Sequence, residues 1–460
     1  MISLADALVR YRDKILATDD AGQSLTYGEV MARGLPLLAG LSRPKAFVVL
    51  LVSNTVPSLA AYLAAVASGH AVLMLDRSVA PDLLAEIERL YRPDLVVAPD
   101  EPATAKAGAG PLPELHPDLS VLLSTSGSTG SPKLARYSWG QAEANARAII
   151  DYLGIADADV PFLMLPMHYS FGYSIVNSHV LAGATLALTN HTMMQREFWQ
   201  RLEASGATSL SGVPFHFEML HRLGPKRVNF AGLKTLTQAG GKLSPELVTA
   251  FTTLAEEKGL SFVVMYGQTE AGPRISYLPP AMARGNPASI GIPIPGVALD
   301  LLGEDGQPVL DGTEGELVCR SPAIMMGYAE GAADLSLGDV MGGRLATGDL
   351  ARRNGDGSYA ITGRKSRFLK LQGNRVNLDD VEGLAKRLGY TAACVGRDNW
   401  LCVAIEAGAD AAALKQAIIT AYTFPPRAVE VKSVAAIPRS ESGKVRYKAL
   451  LDLVSEGGAA

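Results

Sequence analysis

The sequence predicts an α/β fold with two domains. The large N-terminal domain has parallel-type sheets flanked by helices plus a small β-barrel-like subdomain, and a small mobile α+β domain follows. Through the first two-thirds of the chain, short apolar runs alternate with longer amphipathic stretches, which is the strand–helix rhythm of parallel sheets. From about Gly291, turns rich in Gly, Pro and Asp separate short strands, which is typical of an antiparallel or barrel-like unit.

The individual elements follow from run length and periodicity. Short apolar runs predict buried strands at Phe47–Val52, Ala71–Leu75, Leu95–Ala98, Leu119–Leu123, Phe162–Leu165, Thr185–Leu188 and Phe262–Met265. Between them, Pro57–Ser68 and Pro81–Leu90 repeat apolar residues at three- and four-residue steps, which predicts helices. The chain again mixes strand and helix patterns after Gly363-Arg364. We therefore divide it into an N-terminal domain, residues 1–365, and a C-terminal domain, residues 366–460.

Composition excludes several classes of protein. With 48% hydrophobic residues and 19% charged residues, the 460-residue chain is neither wholly disordered nor fibrous. A net charge of −4 gives no basic footprint for nucleic acid. The longest strongly apolar run, Ala46 to Val52, is far shorter than the roughly 20 residues that cross a bilayer. Three scattered cysteines give no disulfide framework. We therefore expect a cytoplasmic protein with no nucleic-acid partner and no membrane span.

One loop carries most of the functional information. The segment SVLLSTSGSTGSPK, from Ser120 to Lys133, runs from an apolar strand into a loop of hydroxyl residues and glycines. Backbone N–H groups and hydroxyls in such a loop can surround phosphate oxygens, while the lysine adds positive charge. The loop matches neither the Walker pattern nor the G-x-S-x-G of serine hydrolases. Because a buried-type strand precedes it, a phosphate site is favoured over a flexible linker.

This loop resembles the core loop of the adenylate-forming superfamily, which comprises acyl-CoA synthetases, adenylation domains of non-ribosomal peptide synthetases and luciferases. Other segments resemble motifs of that family in the same order along the chain. They are LTYGEV from Leu25, MYGQTE from Met265, ATGDL from Ala346, Gly363-Arg364 with LKLQG from Leu369, and SGKV from Ser442. The similarity extends over nearly the whole chain, and the ordered set is far more specific than any single motif.

The resemblance implies an acid–thiol ligase that uses ATP and Mg²⁺ to convert a small-molecule carboxylic acid to an acyl-AMP. The acyl group would then pass to the thiol of coenzyme A. The nucleotide-binding residues that it implies are Thr125, Ser126, Gly127, Ser128, Thr129, Gly130, Lys133, Gly240, Gly241, Tyr266, Gly267, Gln268, Asp349 and Arg364. Within this set, Asp349 would accept hydrogen bonds from the ribose hydroxyls, and the segment from Gln238 to Leu243, with Gly240 and Gly241, would pack against adenine while lining the acyl pocket.

The same resemblance implies four catalytic residues. Thr269 would hydrogen-bond the α-phosphate, and Glu270 would hold Mg²⁺, which prefers oxygen ligands. Lys444 would stabilise the charge that develops in the transition state. His168 would gate access to the reactive carbonyl, although a lone histidine beside apolar residues is more often a packed core residue.

The family also implies where the acid binds and where the domains rotate. The expected acyl pocket contains Tyr169, Phe171, Tyr173, Val213 and Phe215. The segment HYSFGYS has no carboxylate that could pair with a substrate ammonium group, so we expect an aryl or aliphatic acid rather than an α-amino acid. Ser366 occupies the hinge position, where the family usually has Asp or Lys. Rotation there would separate adenylation from thioester formation.

Two alternatives remain open from the sequence. The acceptor thiol can be the phosphopantetheine of an acyl or peptidyl carrier protein instead of coenzyme A. The chain can also be a non-catalytic nucleotide-binding relative. That second reading predicts loss of Lys444, Glu270 or the glycine loop, and the sequence keeps all three.

Overall fold

The structure is a computed structural model, and it describes residues 3–101, 106–107, 112–124, 133–225, 228–371, 374–406, 410–422, 424–439 and 445–456. The strands of the first half are β1 (Ile15–Thr18), β2 (Ser24–Thr26), β3 (Phe47–Val52), β4 (Ala71–Asp76), β5 (Leu95–Val97), β6 (Lys106–Ala107), β7 (Leu119–Ser124), β8 (Leu134–Ser138), β9 (Pro161–Leu163), β10 (Leu186–Leu188), β11 (Ser209–Gly212) and β12 (Thr235–Gln238). Those of the second half are β13 (Ser261–Tyr266), β14 (Ser276–Leu278), β15 (Ile292–Pro293), β16 (Ala298–Leu302), β17 (Gly315–Arg320), β18 (Gly327–Ala329), β19 (Arg344–Arg353), β20 (Tyr359–Arg364), β21 (Phe368–Leu371), β22 (Asn374–Asn377), β23 (Ala392–Arg397), β24 (Trp400–Glu406) and β25 (Val429–Val434). The helices are α1 (Leu4–Arg10), α2 (Val30–Gly34), α3 (Val56–Ala67), α4 (Pro81–Tyr91), α5 (Trp139–Leu153), α6 (Ser170–Ala182), α7 (Arg196–Ala204), α8 (Pro214–Leu223), α9 (Pro245–Lys258), α10 (Pro280–Ala283), α11 (Leu378–Arg387), α12 (Ala411–Tyr422) and α13 (Tyr447–Glu456).

Two large sheets form the first part of the described chain. One has seven strands in the order β18-β8-β7-β4-β3-β5-β6, and the other has nine in the order β15-β14-β13-β12-β11-β9-β10-β1-β2. Their inner strands are parallel. Phe47 of β3 lies opposite Ala71 of β4, for example, and Leu210 of β11 lies opposite Leu236 of β12. The predicted α/β fold, with parallel sheets flanked by helices, is confirmed.

The two sheets share one hydrophobic core with α3 and α6. Apolar side chains of both sheets and of both helices pack into a single buried cluster. Helix α3 is apolar on nearly every side, as expected of a helix that is buried all round. Helix α6 is equally buried, yet it carries Ser174, Asn177, Ser178 and His179 inside the protein. Buried polar groups need hydrogen-bond partners. The polar residues of α6 therefore indicate that one side of this helix faces polar groups rather than the apolar core.

The segment predicted to form a barrel-like unit is a four-stranded antiparallel sheet, in the order β16-β17-β19-β20. Its register places Asp349 of β19 directly opposite Arg364 of β20. Adjacent antiparallel partners lie within side-chain reach of each other. This pairing therefore brings two predicted site residues together through backbone hydrogen bonding alone.

The chain after residue 367 forms two further small sheets, β21-β22 and β23-β24-β25, packed against α11, α12 and α13. A single 3-10 turn, Lys365–Arg367, joins this region to β20 and contains the predicted hinge residue Ser366. The division of the chain into domains at residue 365 stays a prediction. Within the described ranges we find no helix whose length and apolar character would suffice to cross a membrane.

Candidate active site

A tight turn after β13 forms the centre of the site. A Cβ atom on Gly267 would lie 2.2 Å from the carbonyl oxygen of Pro273, so only glycine fits there. Gln268 follows in extended conformation, and the 3-10 turn Thr269–Ala271 comes next. The Thr269 hydroxyl donates to Ser170 Oγ at the start of α6, over 3.3 Å. The end of β13 and the N-terminus of α6 therefore meet at Thr269.

Tyr137 of β8 fixes the same turn from the other sheet. Its hydroxyl donates to the carbonyl oxygen of Thr269 and accepts from the backbone N–H of Gly272, at 3.1 Å. Burial is the main cause that raises the pKa of Tyr137 well above its ordinary value, so the phenol stays protonated. A protonated hydroxyl that donates and accepts at once holds the turn in one position.

Tyr328 connects Glu270 to Lys133. Its hydroxyl donates to Glu270 Oε1 at 2.8 Å, and its ring centroid lies 4.0 Å from the Lys133 ammonium. Lys133 also forms a 2.9 Å ion pair with Glu330. Burial, together with the neighbouring Glu270 carboxylate, raises the pKa of Tyr328. A cation and a carboxylate are thus held on two sides of one phenol.

The remaining loop residues lie outside the described chain. These are Thr125, Ser126, Gly127, Ser128, Thr129 and Gly130. Ser124 at the end of β7 and Lys133 before β8 are the described residues on either side, and these two strands pair antiparallel. Lys444 also lies outside the described residues. Arg439 and Val445, which flank its segment, form an isolated antiparallel bridge.

Glu270 suits a magnesium ion that is held jointly with phosphate oxygens. Mg²⁺ in nucleotide sites takes one or two carboxylates plus substrate phosphates, rather than a cage made only of protein groups. Glu270 offers one such carboxylate beside the cation Lys133. In the part of the chain that the structure describes, no cluster of three or more His, Cys, Asp or Glu residues is suited to a metal ion. A single carboxylate such as Glu270 fits a metal ion that also takes oxygens from a nucleotide.

Asp349 is a buried carboxylate with two strong donors. It is 2% exposed, its Oδ2 accepts from the Tyr266 hydroxyl at 2.5 Å, and its Oδ1 accepts from Arg364 Nε at 2.5 Å. Burial and the Asp349 carboxylate raise the pKa of Tyr266 well above its ordinary value. Each carboxylate oxygen has two acceptor positions, so Asp349 retains capacity for further donors such as hydroxyls.

His168 lies where the two large sheets meet. Its Nε2 is 3.8 Å from Oδ2 of Asp76, the last residue of β4. Burial lowers the pKa of His168, and the Asp76 carboxylate opposes this shift. The imidazole is therefore neutral at pH 7. A neutral ring beside the start of α6 does not repel or attract a passing substrate by charge.

The predicted Gly240-Gly241 pair forms a turn against α6 and α8. Gly240 has a φ of +83°, and a Cβ there would lie 2.6 Å from the Tyr169 hydroxyl and 3.1 Å from Val213 Cγ1. The fully buried Gln238 braces the turn, since its Nε2 donates to the carbonyl oxygens of Ala239 and Gly241. Tyr169 and Val213, two residues of the predicted acyl pocket, therefore both lie beside Gly240.

The other three predicted pocket residues lie apart from this group. Phe171 is buried and borders a cavity between α5, α6 and strands β11 and β12. The Tyr173 ring packs against Tyr62, with centroids 6.1 Å apart, on another side of α6. Phe215 is 53% exposed on α8. Helical geometry explains the separation, because positions 171 and 173 point about 200° apart around the helix axis.

Sequence reasoning did not identify Tyr137, Tyr328 or Arg274. Tyr137 and Tyr328 act through contacts with residues distant in the chain, and no spacing pattern indicates them. Arg274 had a weak signal, because it is the only charged residue between Glu270 and Arg284. It is 2% exposed, and its guanidinium carbon lies 3.9 Å from the Phe171 ring centroid.

Comparison with known proteins gives a matching family model and two similar ligases. The family model described as AMP-binding enzyme matches residues 99–329. Sulfoacetate–CoA ligase of Cupriavidus necator is 30% identical over 384 residues, which cover 78% of this chain and 73% of that protein. Indoleacetate–CoA ligase of Aromatoleum aromaticum is 29% identical over 360 residues, which cover 75% of this chain and 69% of that one.

A solved structure extends the likeness of fold to almost the entire chain. The O-succinylbenzoate coenzyme A synthetase of Bacillus subtilis, in complex with AMP, superposes with a TM-score of 0.79 and 20% identity, covering 97% of each chain. The matching family model spans half of the sequence, and the first relative exceeds two-thirds coverage on both sides. The chain belongs to the family of AMP-binding enzymes.

Proposed function

We propose that the protein is an AMP-forming acid–thiol ligase, which activates a carboxylic acid with ATP and transfers the acyl group to coenzyme A. One observation carries the proposal. The turn from Tyr266 to Glu270 contacts Asp349, Ser170 and Tyr328, which belong to three different parts of the fold. In this proposal the ribose site, the acid site and the phosphate site adjoin one five-residue segment, which is the arrangement that attack of an acid on an α-phosphate needs.

The nucleotide is assigned to residues on both sides of this turn. Asp349 accepts hydrogen bonds from the ribose hydroxyls, with Arg364 and Tyr266 holding its carboxylate in place. Thr269 donates to the α-phosphate. The β- and γ-phosphates are assigned to Lys133 and to the loop residues Thr125 to Gly130. Positioning and charge neutralisation, rather than covalent chemistry by the protein, lower the barrier in such a reaction.

Glu270 is the residue that holds Mg²⁺ in this proposal. The bound ion neutralises charge on the phosphates when ATP is present. The Tyr328 hydrogen bond keeps the Glu270 carboxylate oriented beside Lys133. Because a single carboxylate binds Mg²⁺ weakly without phosphate oxygens, we expect metal and nucleotide to bind together.

The acid lies beside Tyr169, Val213 and Gly240, with its reacting carboxylate toward Thr269. The neutral His168 stands at the junction of the sheets and gates this position. Lys444 stabilises the negative charge that develops as the carboxylate attacks the α-phosphorus. The carboxylate oxygen forms the new bond to phosphorus, and pyrophosphate leaves.

Ser366 is the hinge between domains 1–365 and 366–460. Its neighbours support this assignment. Lys365 forms an ion pair of 2.7 Å with Glu316 of β17, whereas Arg367 pairs with Asp379 and Glu382 of α11. One neighbour is thus tied to the N-terminal side and the other to the C-terminal side. Ser366, between the two anchors, is the position where a dihedral change moves one side relative to the other.

The similar proteins named above bear on the identity of the acceptor and of the acid. Both relatives named above are CoA ligases, which supports coenzyme A as acceptor. Their acids are sulfoacetate and indoleacetate, a small polar acid and a larger aryl acid. Because these two acids differ in size and polarity, the relatives do not identify the acid of the present protein, and the shape and charge of its own pocket determine it.

A screen of carboxylic acids tests the proposal. Purified protein is incubated with ATP, Mg²⁺ and each acid, and pyrophosphate release is measured with and without coenzyme A. We expect at least one acid to drive release and to yield its coenzyme A thioester. Lys444→Ala should lose most of this activity, whereas Lys448→Ala, an exposed lysine of α13, should retain it. Absence of acid-dependent release across the panel would contradict the proposal.

A further inference from the structure

Arg274 is a buried cation without a carboxylate partner. Its Nη1 donates to the carbonyl oxygen of Pro273 at 2.9 Å, whereas its Nε has no hydrogen-bond partner. The ring of Phe171 covers the guanidinium from one side. Arg274 forms no ion pair with any described Asp or Glu residue. A buried guanidinium in this state is costly, because burial removes its hydration, and one carbonyl oxygen, a ring face and neutral phenols replace only part of that hydration.

The groups that surround Arg274 do not supply the missing charge. Its titratable neighbours are the phenols of Tyr152 and Tyr169. Burial raises the pKa of Tyr152 to about 12 and raises the pKa of Tyr169 as well, so both phenols are neutral at pH 7. A neutral phenol compensates a guanidinium only weakly. The positive charge of Arg274 is therefore available to an anion that enters from outside.

A cavity gives such an anion access. It has a volume of about 150 Å³ and lies between helices α5 and α6 and strands β11 and β12. Arg274 and Phe171 border it, together with the hydroxyls of Ser174, Ser211 and Thr237. A cavity of roughly this volume holds a molecule the size of benzene. It is thus large enough for the chain of a small organic acid.

Arg274 gives its part of the cavity wall a positive charge. The one carboxylate in the described lining is Asp159, and it already forms a 2.8 Å ion pair with Lys234. His179 also borders the cavity, and burial lowers its pKa to about 4, so it is neutral. Polar but uncharged hydroxyls make up the rest of the polar wall. Such a wall suits the polar end of an acid better than a purely aliphatic tail.

Tyr169 is a neighbour of both Gly240 and Arg274. A Cβ on Gly240 would lie 2.6 Å from the Tyr169 hydroxyl, and the charge of Arg274 acts on the pKa of the same phenol. In our proposal the acid passes Tyr169, with its reacting carboxylate near Gly240 and its other end toward Arg274.

We propose that the acid substrate carries a second anionic group, a carboxylate or a sulfonate, and that Arg274 binds it. Arginine presents a planar fork of donors that matches two oxygens of one such group. An acid of the same shape whose distal end is uncharged leaves the guanidinium buried and unpaired, so that acid binds less well. The inference rests on the proposed function, because it names the substrate class of the same site.

Matched acids test the inference on the parent protein. Succinate is compared with isocaproate, and malonate with isovalerate, because each pair has the same number of non-hydrogen atoms and differs in the distal group. 3-Sulfopropionate separates a sulfonate from a carboxylate. We expect kcat/KM for pyrophosphate release to be about 10-fold or more higher with one of the doubly charged acids than with its singly charged counterpart. Preference for the uncharged acids would overturn the inference and leave the proposed function intact. If no acid supports release, the proposed function itself fails.

Substitution of Arg274 separates substrate binding from a structural role. Arg274→Met should raise KM for the doubly charged acid about 10-fold or more, with a smaller change in kcat, and should leave the uncharged acid unchanged or improved. Arg274→Lys should keep part of the preference. Arg284→Met, which removes an exposed arginine paired with Glu256, is the matched control. An equal loss for both acids in folded Arg274→Met would contradict the inference. Should that variant not fold, the preference of the parent protein decides.

Discussion

The hydroxyl of Tyr328 donates a 2.8 Å hydrogen bond to the carboxylate of Glu270, 58 positions away in the sequence. The bond depends on sheet pairing. Strand β18 carries Tyr328 and pairs antiparallel with β8, which begins one residue after Lys133. The pairing thus brings a carboxylate, a phenol and a lysine together at the edge of the seven-stranded sheet. In the proposed reaction these groups face the metal and the phosphates.

Removal of the Tyr328 hydroxyl should raise the Mg²⁺ concentration that the reaction requires. In Tyr328→Phe the Glu270 carboxylate loses a donor that orients it, so the Mg²⁺ concentration for half-maximal pyrophosphate release should rise about 3- to 10-fold. Tyr359→Phe is the matched control. It removes a phenol that donates to the Leu299 carbonyl oxygen at 3.1 Å in the small sheet. An unchanged metal titration in Tyr328→Phe would remove this contact from the metal site.

Neutralisation of Asp349 should impair nucleotide binding. Asp349→Asn takes the charge from two hydrogen bonds and leaves Arg364 without its partner. Hydrogen bonds to charged groups contribute about 1.5–3 kcal/mol, so KM for ATP should rise about 10-fold or more. Asp300→Asn breaks an exposed ion pair with Arg320 on the same sheet and should leave KM for ATP near the parent value. Equal ATP affinity in both variants would exclude Asp349 from the ribose site.

An added methyl group at Gly240 should disturb the acyl pocket through Tyr169. Gly240 and Gly306 both have positive φ, at +83° and +75°, so Ala at either position should cost about 1–2 kcal/mol of stability. The Cβ at 240 meets the Tyr169 hydroxyl, whereas the Cβ at 306 meets nothing within 4 Å. Gly240→Ala alone should raise KM for the acid. Tyr169→Phe in the same chain should restore part of the loss, and a failure to do so would place the acid elsewhere.

His179 should make the protein less stable in acid. Burial lowers its pKa from 6.5 to about 4, so the native state resists a proton that the unfolded chain accepts. Its contribution to stability is therefore full above pH 6.5 and decreases as the pH falls toward 4. Between pH 7 and pH 4.5 the loss should amount to about 2–3 kcal/mol at most, at 1.36 kcal/mol per unit of pKa.

Urea unfolding at these two pH values measures the effect of His179. His179→Gln should show a smaller decrease in the free energy of unfolding than the parent protein. His221→Gln, which replaces an exposed histidine at the end of α8, controls for the substitution itself and should behave as the parent does. The same pH dependence in all three proteins would show that other groups govern acid stability.

Apolar run length predicted the parallel strands well. The prediction at Phe47–Val52 has the same bounds as β3, because a strand buried on both faces is a continuous apolar run. The strand predicted at Phe162–Leu165 was wrong at its end, since β9 stops at Leu163. Beyond Leu163, the carbonyl oxygen of Leu165 accepts from the side-chain amide of Asn54 rather than from a neighbouring strand. No pattern within the strand indicates a partner so distant in sequence.

Strands β11 and β12 were not predicted, for a reason connected to function. They alternate leucine with hydroxyl residues over only four positions, which is too short and too polar for the apolar-run rule. Leu210 and Leu236 enter the core, whereas Ser211 and Thr237 face the cavity beside Arg274. The polar residues that kept these strands from being predicted therefore form part of the wall of the proposed acid site.

The motifs predicted the candidate site residues, and tertiary contacts supplied the geometry of those that the structure describes. Tyr266 and Asp349 were predicted separately, yet the hydrogen bond between them joins residues 83 positions apart. The separation of Tyr173 from Phe171 around α6 depends on how the helix is rotated in the core. Sequence periodicity could not fix that rotation, because α6 is buried on all sides.

Isotope transfer from the acid to AMP tests the central claim most directly. An acid labelled with ¹⁸O in its carboxylate is incubated with the protein, ATP, Mg²⁺ and coenzyme A, and the products are examined by mass spectrometry. Attack of the carboxylate on the α-phosphorus, followed by thiolysis, should leave one ¹⁸O atom in each AMP and pyrophosphate without label. Label in inorganic phosphate with formation of ADP, or AMP without label, would contradict the account.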